Sequence, residues 1–203
     1  MSVRAGPSPA SSDAEALRRA IGACTLCAAQ LPHGPRPIVQ FSSQSRILII
    51  GQAPGSKVHA SGIGWDDDSG DRLRAWLGIG KDVFYDREQI AQMPMGFCYP
   101  GKASGGDAPP RKECAPHWHD KVLAHLPENR LTLLVGIYAQ QRYLPETRKW
   151  SMTERVRRGE EFAPFFPLPH PAWRVRTWMK KNPWFEAETL PRLREKVRRH
   201  LRR

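Results

Sequence analysis

The stretch Ile47-Leu48-Ile49-Ile50, running without a break into Gly51-Gln52-Ala53-Pro54-Gly55, constrains this chain more than any other. Four consecutive apolar residues, mostly β-branched, leave no polar face for solvent, so they read as a strand covered on both sides, the habit of parallel sheets. The glycine turn that follows strips away side chains where another group must approach the backbone closely. In open α/β sheets ligands sit at the carboxyl ends of strands, so this loop marks the floor of a site. It is not a phosphate-binding P-loop, because Gly51 to Lys57 lacks the Gly-x-x-x-x-Gly-Lys-Ser/Thr spacing.

Three further pieces read as strands: Leu131 to Gly136, Phe165 to Leu168 running into Pro169-His170-Pro171, and a shorter one around Met93 to Phe97. Helical spacing lies between them. Asp13 to Ile21 carries Asp13 as an N-cap, with Ala16, Leu17, Ala20 and Ile21 on one face. Asp71 to Leu77 turns Leu73, Trp76 and Leu77 inward, capped by Ser69 or a neighbouring aspartate. His117, Trp118 and His119 open another helix, and basic amphipathic helices start from Thr177 and Glu186. Strands alternating with helices predict a three-layer α/β/α sandwich around a mainly parallel sheet of about four strands. With 203 residues and no low-complexity linker, residues 13–203 read as one domain behind a disordered segment, 1–12.

A formal charge of +12 favours a polyanionic partner, with the Arg192 to Arg203 run as a solvated helix face. Nucleic acid is preferred to a membrane, because no long apolar face accompanies the charge and no run approaches the roughly 18 residues of a membrane span. The expected protein is soluble and cytoplasmic, with nucleic acid as its partner. Four cysteines, Cys24, Cys27, Cys98 and Cys114, are not expected to form disulfides in that compartment. Cys24-Thr25-Leu26-Cys27 alone reads equally as a redox dithiol, half of a metal site or two buried thiols.

Gly51-Gln52-Ala53-Pro54-Gly55 resembles the first motif of the uracil-DNA glycosylase superfamily, and Leu168-Pro169-His170-Pro171 resembles its second. Between them, Gly62 to Gly70 is similar to the family's Gly-x-x-aromatic segment, so the resemblance extends from about Cys24 to Trp184. It implies a monomeric, DNA-associated enzyme that hydrolyses the N-glycosidic bond of deoxyuridine in DNA, releasing uracil and leaving an abasic site. That chemistry puts positive charge on the sugar and negative charge on the departing base, so it calls for a carboxylate on one side and a hydrogen-bond donor on the other. The nucleotide must also be flipped into a pocket with an aromatic face. By resemblance Trp65 stacks on the base, His170 donates to its carbonyl oxygen, and Gln52 and Ala53 contact it.

The first motif departs from its relatives. Ala53 stands where one branch has an aspartate, and Gln52 where the iron–sulfur branch has a glutamate. Branches without an acid there use an aspartate after the stacking aromatic, which by count is Asp68, with Asp67 next; Asp67 is expected to face away. Pro94 replaces the asparagine that reads uracil, leaving Gln92 or the backbone of Met93 to Gly96 for that task. The missing asparagine keeps another deaminated base such as hypoxanthine open as substrate, and the missing acid keeps open a non-catalytic binder of damaged or abasic DNA. All four cysteines fall where the iron–sulfur branch holds a [4Fe–4S] cluster, with structural zinc as the rival and His117 and His119 as surface or outer residues. Trp173-Arg174-Val175-Arg176 stands where relatives carry a DNA-binding loop, Trp173 to fill the vacated stack and Arg174 and Arg176 to hold phosphate.

Overall fold

All four residues of strand β1 (Ile47–Ile50) are fully buried in the structure, a computed structural model that describes residues 9–201. In chain order, α1 (Pro9–Gly22) precedes β1, and α2 (Ser56–Ser61), α3 (Asp68–Leu77) and α4 (Lys81–Tyr85) lead to β2 (Ile90–Gln92). A small hairpin, β3 (Lys102–Ala103) and β4 (Gly106–Asp107), leads to α5 (Cys114–Leu123). The strands β5 (Leu131–Val135) and β6 (Phe165–Leu168) are separated by α6 (Ile137–Tyr143) and α7 (Met152–Arg157), and α8 (Val175–Lys181) and α9 (Leu190–Leu201) follow.

The main sheet has the order β2-β1-β5-β6, and every neighbouring pair is parallel. Successive side chains of β1 point to opposite faces, which builds two cores. Ile47 and Ile49 pack with Leu73, Trp76 and Leu77 of α3 and Leu193 and Val197 of α9, while Leu48 and Ile50 pack with Ile21 of α1, Val122 of α5 and Ala139 of α6. The expected α/β/α sandwich with a four-stranded parallel sheet is therefore the fold. Because β2 lies on one side of β1 and β5 on the other, strand addition reverses beside β1, and all four carboxyl ends open at one edge.

Several local expectations change. The strand expected around Met93 to Phe97 is instead β2, Ile90–Gln92. Met93 still donates to Ile49 O (2.9 Å), but Pro94 has no N–H, and Met95 and Gly96 then donate to Gly51 O (2.9 Å) and Gln52 O (3.0 Å), so the chain peels off the sheet onto the glycine loop. The first helix starts at Pro9, so residues 9–12 are helical and Asp13 lies inside the helix rather than capping it; residues 1–8 of the expected disordered segment lie outside the described residues. Its inward side chains are Ala14, Leu17 and Ile21, with Ala16 and Ala20 exposed. The last two helices begin at Val175 and Leu190, a π-helical turn over Phe185–Thr189 replacing the start expected at Glu186. On α9, Arg192, Lys196, Arg198 and Arg199 pair with Glu188, Glu160 and Glu195, which partly offsets the charge of that basic surface face. Among the described residues no helix is long and apolar enough to cross a membrane.

Candidate active site

The carboxyl edge of the sheet encloses a cavity of about 410 Å³. The glycine loop after β1, Gln92 and Pro94 after β2, and His170 after β6 line it, joined by Trp65, Asp67, Asp107, Trp173 and Arg174 from loops around its mouth.

Trp65 is held in an unusual backbone conformation. Its φ of 58° lies in the left-handed region, rare for a bulky side chain. Its carbonyl accepts from Arg74 Nη1 and Tyr85 O–H (both 3.4 Å) and lies so close to Gly70 that a Cβ there would stand 1.8 Å from it. Its indole lies over Gly51, where a Cβ would come within 2.7 Å of Cζ2. Two glycines, one in the first motif and one in α3, thus make room for a single aromatic. The ring faces His170 with centroids 5.8 Å apart and planes 30° apart.

His170 is fixed from both sides along the backbone. Leu168 O accepts from Gly136 N–H and from the buried Gln140 carboxamide (2.9 Å each), and Pro171 O accepts from Arg72. Gly136 has φ +90° and would bring a Cβ to 3.3 Å from the His170 Cβ, so glycine is required there twice over. Burial pushes the imidazole below its ordinary range, although the carboxylates of Asp67 and Asp107 pull the other way. The ring is therefore neutral at pH 7 and able to donate one hydrogen bond.

The carboxylates are not arranged as expected. Asp68 is the first residue of α3, 85% exposed in its side chain and paired with Lys57 (3.2 Å), and it does not line the cavity. Asp67 takes the cavity-facing place. As N-cap of α3 its Oδ1 accepts from Gly70 N–H (2.8 Å), and the cap geometry that turns this side chain back over the helix start turns its neighbour out. A second carboxylate, Asp107 of β4, also reaches the cavity, its Oδ1 accepting from Tyr99 O–H (3.4 Å). It lies in a Gly/Pro-rich loop with no sequence pattern to single it out.

Gln52 and Ala53 line the cavity as expected. The amides of Met93, Met95 and Gly96 are already donated within the protein, and the Pro94 carbonyl accepts from His119 Nε2 (3.1 Å). Those amides are committed within the protein, and Gln92 is the side chain of this segment that lines the cavity. Its Nε2 donates to Phe84 O (3.1 Å), and its Oε1 is turned toward Gly64. His119, expected at the surface or beside a metal, is fully buried, accepts at Nδ1 from Tyr143 O–H (2.7 Å), and has its pKa pushed down to about 4 by burial; it braces the cavity wall. Trp173, 72% exposed, and Arg174 stand at the mouth, while Arg176 is exposed and outside it.

The four cysteines, all free thiols, line a second, small cavity between the end of α1, the segment after β2 and the start of α5. Phe97 N–H points at Cys114 Sγ (3.3 Å) and Trp118 Nε1–H at Cys24 Sγ (3.4 Å). Burial pushes the Cys114 thiol up to about 12 and Cys98 in the same direction. Among the described residues no three His, Cys, Asp or Glu side chains are gathered as ligands of a single metal ion.

Because Gly70 meets backbone rather than a flexible side chain, Gly70→Ala should displace Trp65 and cost about 1–3 kcal/mol. Urea unfolding measures this, and a loss under about 0.5 kcal/mol would mean the turn yields freely. Residues 38–194 match the family model described as the uracil DNA glycosylase superfamily.

Proposed function

Because the chain belongs to the uracil DNA glycosylase superfamily, it is a DNA glycosylase acting on damaged bases, and we propose that it hydrolyses deoxyuridine in DNA to free uracil and an abasic site. The observation that carries this reading is the opposition, within one cavity, of a carboxylate on a helix cap, Asp67, and a neutral imidazole, His170, with the Trp65 ring beside it. The flipped base stacks on Trp65. His170 donates to the base oxygen on which negative charge develops, and Asp67 stabilises the sugar cation, both preorganised and so more effective than water. Gln92 Oε1 accepts the imide N–H of uracil, the part an asparagine plays in the resembling relatives. The acid missing from the first motif is thus supplied from α3, which favours an enzyme over a non-catalytic binder.

Trp173 and Arg174 sit where the duplex must part from the flipped nucleotide, the ring replacing lost stacking and the guanidinium meeting phosphate. Arg176, Lys180 and Lys181 on α8 have no ion-pair partner among the described residues and extend that basic face, in contrast to α9.

We also propose that Cys24, Cys27, Cys98 and Cys114 hold a [4Fe–4S] cluster. The donor set fits: four thiols on one cavity, two of them already facing N–H groups of the kind that stabilise cluster sulfurs. When bound, the cluster supplies cross-linking, and these residues join the end of α1 to α5 and to the segment that carries the cavity wall.

Asp67→Asn and His170→Ala should each slow single-turnover uracil excision by about 10²- to 10³-fold, with affinity for uracil-containing DNA held within about tenfold. Asp68→Asn should retain most activity; if instead it is the inactive variant, the carboxylate assignment fails. Since the His170 pKa is lowered from about 6.5, the imidazole stays neutral from pH 6.5 to 8 and charges only further down. The wild-type to His170→Ala rate ratio should therefore be constant over that range, and a tenfold change would contradict a neutral donor. Anaerobically purified protein should carry iron and absorb near 400 nm, as thiolate-ligated clusters do, about four irons per chain, with both lost in Cys98→Ala. Zinc without iron would establish the rival.

A further inference from the structure

We propose that Asp107, on the β3–β4 hairpin, is a second catalytic carboxylate, the one that takes the proton of the attacking water; this rests on the glycosylase mechanism above. Three observations converge on it. First, Asp107 lines the same cavity as Asp67 and His170, and its charge is felt at the His170 ring. Second, a Cβ at Gly55 would lie 3.3 Å from Asp107 Oδ2 and 4.0 Å from Asp67 Oδ2, so both oxygens face one space, which stays open because Gly55 has no side chain. Third, each carboxylate keeps its other oxygen engaged, Asp67 Oδ1 with Gly70 N–H and Asp107 Oδ1 with Tyr99 O–H. Orientation is thereby set for both, and one oxygen of each is free.

The two acids differ in a way that divides their work. Asp67 is half-buried, and its Oδ1 is held by the backbone N–H of Gly70 at the helix start. So fixed in place, it is suited to stabilise the sugar cation. Asp107 is exposed and lines the cavity, so water reaches its carboxylate directly. In the step, the bond between C1′ and the base nitrogen breaks with its electron pair going to the base. The water oxygen bonds to C1′, and its proton passes to Asp107. The base leaves as an anion hydrogen-bonded to His170 and is protonated by solvent. Arg174 Nη2 donates to Gly105 O (3.1 Å) in the turn of the hairpin, so the loop that meets DNA is tied to the strand that presents Asp107.

The test is single-turnover excision from a uracil-containing oligonucleotide by the full chain, with thermal unfolding as the control for folding. Asp107→Asn, close to isosteric, should lose at least about 10²-fold in rate with affinity nearly unchanged. Asp107→Ala should be slow and regain at least about tenfold on addition of formate, a rescue expected of a missing proton acceptor and not of a lost hairpin contact. Asp107→Asn within threefold of wild type, while Asp67→Asn is slow, would overturn the role of Asp107 and leave the glycosylase reading standing. So would a slow Asp107→Ala that formate does not restore. If the wild-type chain releases nothing from uracil DNA but acts on a hypoxanthine oligonucleotide, the substrate reading falls and the same variants decide Asp107 there. Release of no base from either would overturn both.

Discussion

Burying Ile47 to Ile50 on both faces is possible only if β1 is hydrogen-bonded by strands on both sides and covered by helices above and below. That requirement shapes the rest. It places β2 and β5 as neighbours, forces the chain to cross over through helices, and aligns the carboxyl ends of all four strands at one edge. Residues far apart in the chain, from Gly51 to His170, come together there because parallel strands end on the same side.

At that edge, the site is built by subtraction as much as by addition. Gly51 and Gly70 clear the volume that Trp65 fills, Gly136 clears the space beside His170, and Gly55 leaves a gap that two carboxylates face. The polar groups that surround the cavity are largely spoken for: Met95 and Gly96 amides by the glycine loop, the Pro94 carbonyl by His119, the Leu168 carbonyl by Gln140. Among the described cavity-lining groups that stay uncommitted are the His170 imidazole, the Gln52 carboxamide, one oxygen each of Asp67 and Asp107, and the Gln92 Oε1. A cavity whose walls are satisfied internally directs its few free groups at the ligand.

Asp67 and Asp68 illustrate how close a pattern can come without deciding a side chain. Their position after the aromatic, and the presence of a helix cap among them, were legible, but adjacent residues at a helix start point in different directions, and only the N-cap turns back to its own first turn. Counting from Trp65 cannot resolve that choice. Asp107 was not legible at all, since it reaches the site through a two-residue hairpin in a loop rich in glycine and proline. His119 was misjudged for a related reason: its partners, Tyr143 and Pro94, are distant in sequence.

The sequence by itself determined the fold class, the strand that anchors it, the two motifs at strand ends and the aromatic between them. These are properties of local composition and spacing: apolar runs, glycine turns, proline after histidine. The tertiary structure alone decided which carboxylates face the cavity, which backbone groups remain free to read a base, and that four scattered cysteines share one pocket. These depend on segments far apart in the chain meeting, Cys24 with Cys114 and Asp67 with His170 among them, and on hydrogen bonds that consume a donor in one place and leave it free in another. Periodicity carries no record of either.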